Sequence, residues 1–73
     1  MGQIPRGPVA RTDDAIRAEA RVLAVLGDAP ATLDTLARRS GLAAEIALAA
    51  LVPLEWSGLA RVEPGPRWRR VSR

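Results

Sequence analysis

The chain is 73 residues long, with eleven arginines, no lysine, eight carboxylates, a net charge of +3, and neither cysteine nor histidine. That length allows one small domain, which buries only about 60% of the surface its unfolded chain exposes. The missing cysteine and histidine exclude a disulfide framework, the usual zinc sites and a histidine general base. A cysteine-free chain also suits a reducing cytosol, and the N-terminus has no apolar run that would make a secretory signal. The longest apolar stretch, Leu42 to Leu54, is interrupted by Glu45 and Pro53 and is too short to span a bilayer.

Met1 to Arg11 holds Gly2, Pro5, Gly7 and Pro8 without apolar periodicity, and reads as a flexible linker or leader. The domain proper is expected over residues 12–73. Thr12 is a good N-cap, and Asp13 and Asp14 follow where acids favour the helix dipole. Asp13 is placed to pair with Arg17 one turn on. Ile16, Ala20, Leu23 and Leu26 mark an apolar stripe that Val22 and Val25 widen, with Gly27 as the stop and Pro30 beyond.

Thr32 is the next N-cap, with Asp34 in the first turn. Leu33, Leu36 and Ala37 give a short second helix its apolar face, and Arg38 and Arg39 lie at its end. Ser40-Gly41-Leu42 then makes a tight turn into a third helix, expected from about Ala43 to Ser57, with Ala47, Leu51 and Leu54 inward and Gly58 closing it. Pro53 in that helix removes one backbone bond and predicts a kink or an early break. Starting on Ala43 and Ala44 rather than a serine weakens the same helix by about 1 kcal/mol.

Beyond Gly58 the periodicity changes. Leu59 to Glu63 and Arg67 to Val71 read as two short strands joined by Pro64-Gly65-Pro66. Three helices followed by a two-stranded hairpin predict a mainly α fold, the winged helix-turn-helix.

The residues Leu26-Gly27-Asp28, Pro30, Thr32-Leu33, Leu36-Ala37 and Ser40-Gly41-Leu42 resemble the C-terminal winged-helix domain of the bacterial DNA-processing protein DprA, also called Smf. The resemblance runs from about Val22 through Leu51, Leu54-Glu55, Gly58-Leu59 and Pro64-Gly65. It ends on Arg67-Trp68-Arg69-Arg70, where the family more often has tyrosine as the aromatic. It implies that the chain is one part of a longer protein whose Rossmann-like domain binds single-stranded DNA. That protein helps load the RecA recombinase during natural transformation. Residues 1–11 would then be the tail of an interdomain linker.

Charge separates the candidate surfaces. From Leu59 to Arg73 there are five arginines and one glutamate, while Ala43 to Gly58 holds two glutamates and no arginine. Arg61, Arg67, Arg69, Arg70 and Arg73 on the wing, helped by Arg38 and Arg39, are candidates for weak, sequence-independent phosphate contact. Simple solvation of an exposed hairpin, or the arginine bias of a GC-rich genome, accounts for them equally well. The third helix offers Ala44, Glu45, Leu48 and Ala49 at its exposed positions, none of which reads base edges. Glu45, Leu48 and Trp56 are instead candidates for protein contact, with the recombinase, the parent's first domain or a second copy as partner. Trp68 is expected to plug the core, and Trp56 to cover the core rim rather than stand out as an anchor. No nucleophile has a histidine partner and no glycine-rich phosphate loop occurs, so neither enzymatic activity, a metal nor a cofactor is expected. A transcriptional regulator's DNA-binding half is the weakest of the three readings.

Overall fold

The computed structural model describes residues 12–71. The expected leader, residues 1–11, and Arg73 therefore lie outside the described residues. The chain runs through α1 (Asp13–Val25), β1 (Ala31–Thr32), α2 (Leu33–Ser40), α3 (Ala44–Trp56), β2 (Ala60–Glu63) and β3 (Arg67–Arg70). Three helices and an antiparallel wing make this a winged helix.

Two threonines start two of the helices. The Ala15 N–H donates to Thr12 Oγ1 at 3.1 Å, and the Thr35 N–H donates to Thr32 Oγ1 at 3.2 Å. Each bond satisfies a donor that the first turn leaves open. Asp13, Asp14 and Asp34 add favourable charge to those turns. Arg17 finds Asp14, three residues back at 3.9 Å, rather than the expected Asp13. Ala43 gives α3 no side-chain cap, as its sequence predicts.

The ends of α2 and α3 share one device. Gly41 takes φ 74° and Gly58 φ 78°, the left-handed region where a Cβ is penalised. After α2, Gly41 N–H donates to the Arg38 carbonyl and Leu42 N–H to the Ala37 carbonyl. After α3, Gly58 N–H donates to the Glu55 carbonyl and Leu59 N–H to the Leu54 carbonyl. Two otherwise orphaned carbonyls are satisfied each time, and the chain is thrown back sharply. The same device was expected of Gly27, but α1 ends earlier. Leu26 turns extended (φ −73°, ψ 127°) while its N–H still bonds the Val22 and Leu23 carbonyls. Leu26 is only 4% exposed, so burial of its side chain rather than glycine freedom sets this exit.

The apolar face of α1 is rotated from the expected one. Ala18 and Val22 are its buried residues, continuing into Leu26, whereas Ile16 is 46% exposed and Ala20 also faces solvent. In so alanine-rich a helix several i, i+4 rows look apolar, and packing selects among them. On α2 and α3 the expected inward residues Leu36, Ala37, Ala47, Leu51 and Leu54 are all buried, while Leu33 is only partly buried against them. Val22, Leu36 and Leu51 are fully enclosed where the three helices meet.

Pro53 does not break α3, which continues to Trp56. The proline removes a single donor close to the helix end, and the Ser57 N–H still reaches the Pro53 carbonyl at 2.9 Å. The Ala49 residue, whose carbonyl loses that donor, is exposed, so water limits the cost.

The sheet has three strands rather than the expected two, in the order β1-β3-β2 and antiparallel throughout. Ala31 lies opposite Trp68 and Thr32 opposite Arg67, while β2 pairs Ala60 through Glu63 with Arg70 through Arg67. Two residues are too few to show alternation, so β1 leaves no periodic signal. The wing is also tied at its base, where the Arg70 N–H donates to the Gly27 carbonyl at 2.8 Å and Val71 N–H to the Leu59 carbonyl at 3.0 Å.

The turn at Gly41 can be tested alone. A Cβ there would meet nothing closer than the end of the Arg21 side chain at 3.6 Å, so strain is confined to the backbone. Gly41→Ala should cost about 1–2 kcal/mol, read as a lower urea midpoint with an unchanged m-value.

Candidate functional site

The wing gathers half of the described arginines, and sheet register sets how they meet. Residues opposite one another on antiparallel strands share a face. Arg61 therefore stands beside Arg69, and Glu63 beside Arg67, on the face away from Trp68. The predicted alternation holds: Trp68 is 7% exposed, Arg67 is exposed, and Arg69 is half-buried on the outer face of the wing.

Like charges opposite one another repel, and Glu63 answers for part of that cost. The Arg69 Nε donates to Glu63 Oε2 at 2.6 Å, with both side chains about two-thirds covered. Arg69 is thus committed within the wing. Arg61, Arg67 and Arg70 are exposed and take part in no salt bridge among the described residues. At the end of α2, Arg38 reaches Asp34 at 3.5 Å in a largely exposed pair, while Arg39 stays exposed. Such surface pairs are worth about 0–1 kcal/mol and open readily to another anion.

Trp68 is the plug expected of it, and its polar edge is satisfied. The Nε1–H donates to Glu55 Oε2 at 2.9 Å, a bond from β3 to the last turn of α3. In the sequence Glu55 carries no sign of this role. A buried tryptophan announces that it needs an acceptor, but nothing local says which carboxylate supplies it. Arg21 was missed in the same way. Its Nη1 donates to the Ser40 carbonyl at 3.3 Å, joining α1 to the end of α2. Ser40 is itself buried, with its hydroxyl donating to the Ala37 carbonyl at 3.2 Å.

The third helix presents a different surface. Glu45, Leu48 and Ala49 are exposed as expected. Trp56 is not the rim cover anticipated for it, since it is 87% exposed. The glycine reversal at Gly58 carries β2 back to the opposite side of α3, where Glu55 meets Trp68, and leaves Trp56 in solvent. Val52 is 49% exposed and Leu48 44%, so Leu48, Val52 and Trp56 form one row at i, i+4 and i+8. Ile46, 47% exposed, points to a different side of the helix, toward α1. Val52 completes, at four-residue spacing, a row of which Leu48 and Trp56 are the ends.

Among the described residues, no group of three potential ligands is placed to hold a metal ion. No helix among them is long and apolar enough to cross a membrane.

The two tryptophans are separable by fluorescence. Trp68→Phe, which leaves Trp56, should emit further to the red and be quenched strongly by acrylamide. Trp56→Phe should retain a blue-shifted emission protected from the quencher, and equal quenching of the two variants would contradict this arrangement.

Comparison with known proteins gives one finding. A family model described as the DprA winged helix domain matches residues 6–66. The match begins well before Val22, taking in all of α1, and stops at the wing turn before β3. No curated protein and no solved structure gives a significant match.

Proposed function

The chain belongs to the DprA winged helix domain family, and on that premise we propose that it is an accessory domain of a DNA-processing protein acting in DNA uptake and recombination. Its own contribution is weak, sequence-independent contact with nucleic-acid phosphates. The observation that carries this reading is the outer face of the wing, where Arg61, Arg67 and Arg69 occupy neighbouring rungs against a single carboxylate, Glu63. Arg70 extends the charge at the base of the hairpin, and Arg39 with Arg38 can join from α2.

Phosphate recognition by separate cations needs no base-specific geometry and releases counterions, so it weakens steeply with salt. Base readout needs arginine, asparagine or glutamine in the groove, and α3 exposes Glu45, Leu48, Val52 and Trp56 instead. This disfavours a sequence-reading regulator. With no histidine or cysteine in the chain, the domain is read as non-enzymatic, requiring no cofactor and working in the cytoplasm. Its macromolecular partners would be DNA and, through the longer protein, a RecA-type recombinase or the Rossmann-like domain.

A second reading, protein contact through α3, is favoured by one specific observation, the 87% exposure of Trp56 beside Leu48 and Val52. Aromatic anchors of this kind are enriched among residues that dominate protein interfaces.

Anisotropy of labelled single- and double-stranded oligonucleotides at low salt tests the wing. The triple variant Arg61→Ala, Arg67→Ala, Arg70→Ala should abolish binding. Three phosphate contacts correspond to a slope of about −3 in log K against log salt on duplex DNA. Glu63→Gln should strengthen binding by releasing Arg69. Binding that survives the triple substitution, or that ignores salt, would overturn the assignment.

A further inference from the structure

The solvent face of α3 is complementary to itself, and we infer that a second copy of this chain docks on it, the two α3 helices crossing antiparallel at Val52. This inference rests on the protein-contact reading above and names the partner. Leu48, Val52 and Trp56 form the row, with Glu45 and Ala49 exposed beside it. Residues four apart make the ridge by which helices pack, with about 50° between the axes when both helices use it.

The two ends of this face differ in size and in hydrogen bonding. The C-terminal end carries the indole of Trp56, whose Nε1–H donates to nothing among the described residues. A tryptophan N–H needs an acceptor once its ring is covered. The N-terminal end is small at Ala49 and holds two open acceptors. Glu45 forms no ion pair among the described residues. Pro53 has no N–H, so the exposed Ala49 residue has a carbonyl without its usual helical donor.

An antiparallel crossing at Val52 brings the unlike ends together. Trp56 lies about 6 Å beyond the crossing, and on that side the second copy presents Ala49 at about 4.5 Å and Glu45 at about 10.5 Å. The ring fills the space over Ala49, and its N–H falls between two acceptors, much as Trp68 finds Glu55 within one chain. A two-fold axis makes this contact twice. The two Glu45 carboxylates stand about 21 Å apart, well beyond the screening length of about 8 Å at physiological salt. A parallel pairing instead sets ring against ring and carboxylate against carboxylate. A foreign helix would have to supply both a small residue opposite Trp56 and an acceptor beside it, which a second copy carries at the matching spacing.

Five side chains per copy fall short of the roughly 800 Å² per partner that a stable interface buries, so the pair is transient and concentration-dependent. The wing packs on the Glu55 side of α3, off the row, and the arginines of both copies stay open to nucleic acid.

Sedimentation equilibrium of the full chain from micromolar to millimolar concentration should show monomer and dimer, with acrylamide quenching of Trp56 falling as the dimer forms. Trp56 and Ala49 are about 10.5 Å apart along one helix. An isotope-filtered NOE between the Trp56 ring and the Ala49 methyl, in a mixture of labelled and unlabelled chain, therefore reports the antiparallel contact. Trp56→Ala should raise the dimer dissociation constant at least about thirtyfold, because the two-fold axis removes two anchors at once. Ala49→Gln, at an exposed position, should raise it at least about tenfold by filling the space the ring needs. A monomer at millimolar concentration, a dimer without that NOE, or a dimer indifferent to both substitutions would overturn the second copy as occupant. Titrating the labelled chain with a RecA-type recombinase and with the longer protein's Rossmann-like domain then separates the two readings. Shifts on α3 with either would keep the protein-contact reading while the self-docking inference stays overturned, and no shift on α3 with both would sink the two together.

Discussion

The bond from Trp68 Nε1 to Glu55 is where the sheet and the helices become one structure. A hairpin as short as β2–β3 has little stability alone. Trp68 sits on the central strand, opposite Ala31 of β1 on one side and Val62 of β2 on the other. Its ring closes the helical core, and its one polar atom would be costly to bury without a partner. Glu55 supplies that partner from the last turn of α3, just before Gly58 reverses the chain. The wing's position relative to α3 therefore depends on a buried ring, a single acceptor and a left-handed glycine acting together.

This arrangement also separates the surface electrostatically. Because Trp68 faces the helices, Arg67 and Arg69 on either side of it face outward, and register places Arg61 beside them. The basic strands pack on the Glu55 side of α3, and the helix's exposed side is left apolar and acidic. One fold thus presents two surfaces of opposite character, the wing suited to polyanions and α3 unsuited to them. In helix-turn-helix proteins that read sequence, the second helix of the motif enters the major groove. Here that helix lacks the donors such a role demands.

The elements legible in the sequence were those with strong local causes. Thr12 and Thr32 are efficient caps, Gly41 and Gly58 supply the backbone conformation that other residues avoid, and Ala47, Leu51 and Leu54 repeat at helical spacing. What escaped was decided by contacts distant along the chain. β1 exists because Trp68 and Arg67 offer it a ladder, and two residues carry no pattern of their own. The rotation of α1 toward Ala18 and Val22 follows from packing against α2 and α3, since alanine supports several apolar rows equally. Leu26 ends α1 before Gly27 for the same reason. At the candidate site, the outward set of wing arginines followed from strand alternation. The capture of Arg69 by Glu63 needed the register, and the exposure of Trp56 needed the path of the chain after Gly58.

Thr32 has a consequence for how this domain can vary. It is both the last residue of β1, opposite Arg67, and the residue whose hydroxyl starts α2. Strand and helix share it with no linker between them. A residue inserted at that junction would shift either the pairing with β3 or the origin of α2, and with α2 the turn at Gly41. The turn Pro64-Gly65-Pro66 carries no such double duty, and the hairpin can lengthen there while its base stays tied to Gly27 and Leu59. Length variation among relatives should therefore collect at the wing tip, where an insertion extends the charged surface, while the β1–α2 boundary keeps a constant spacing.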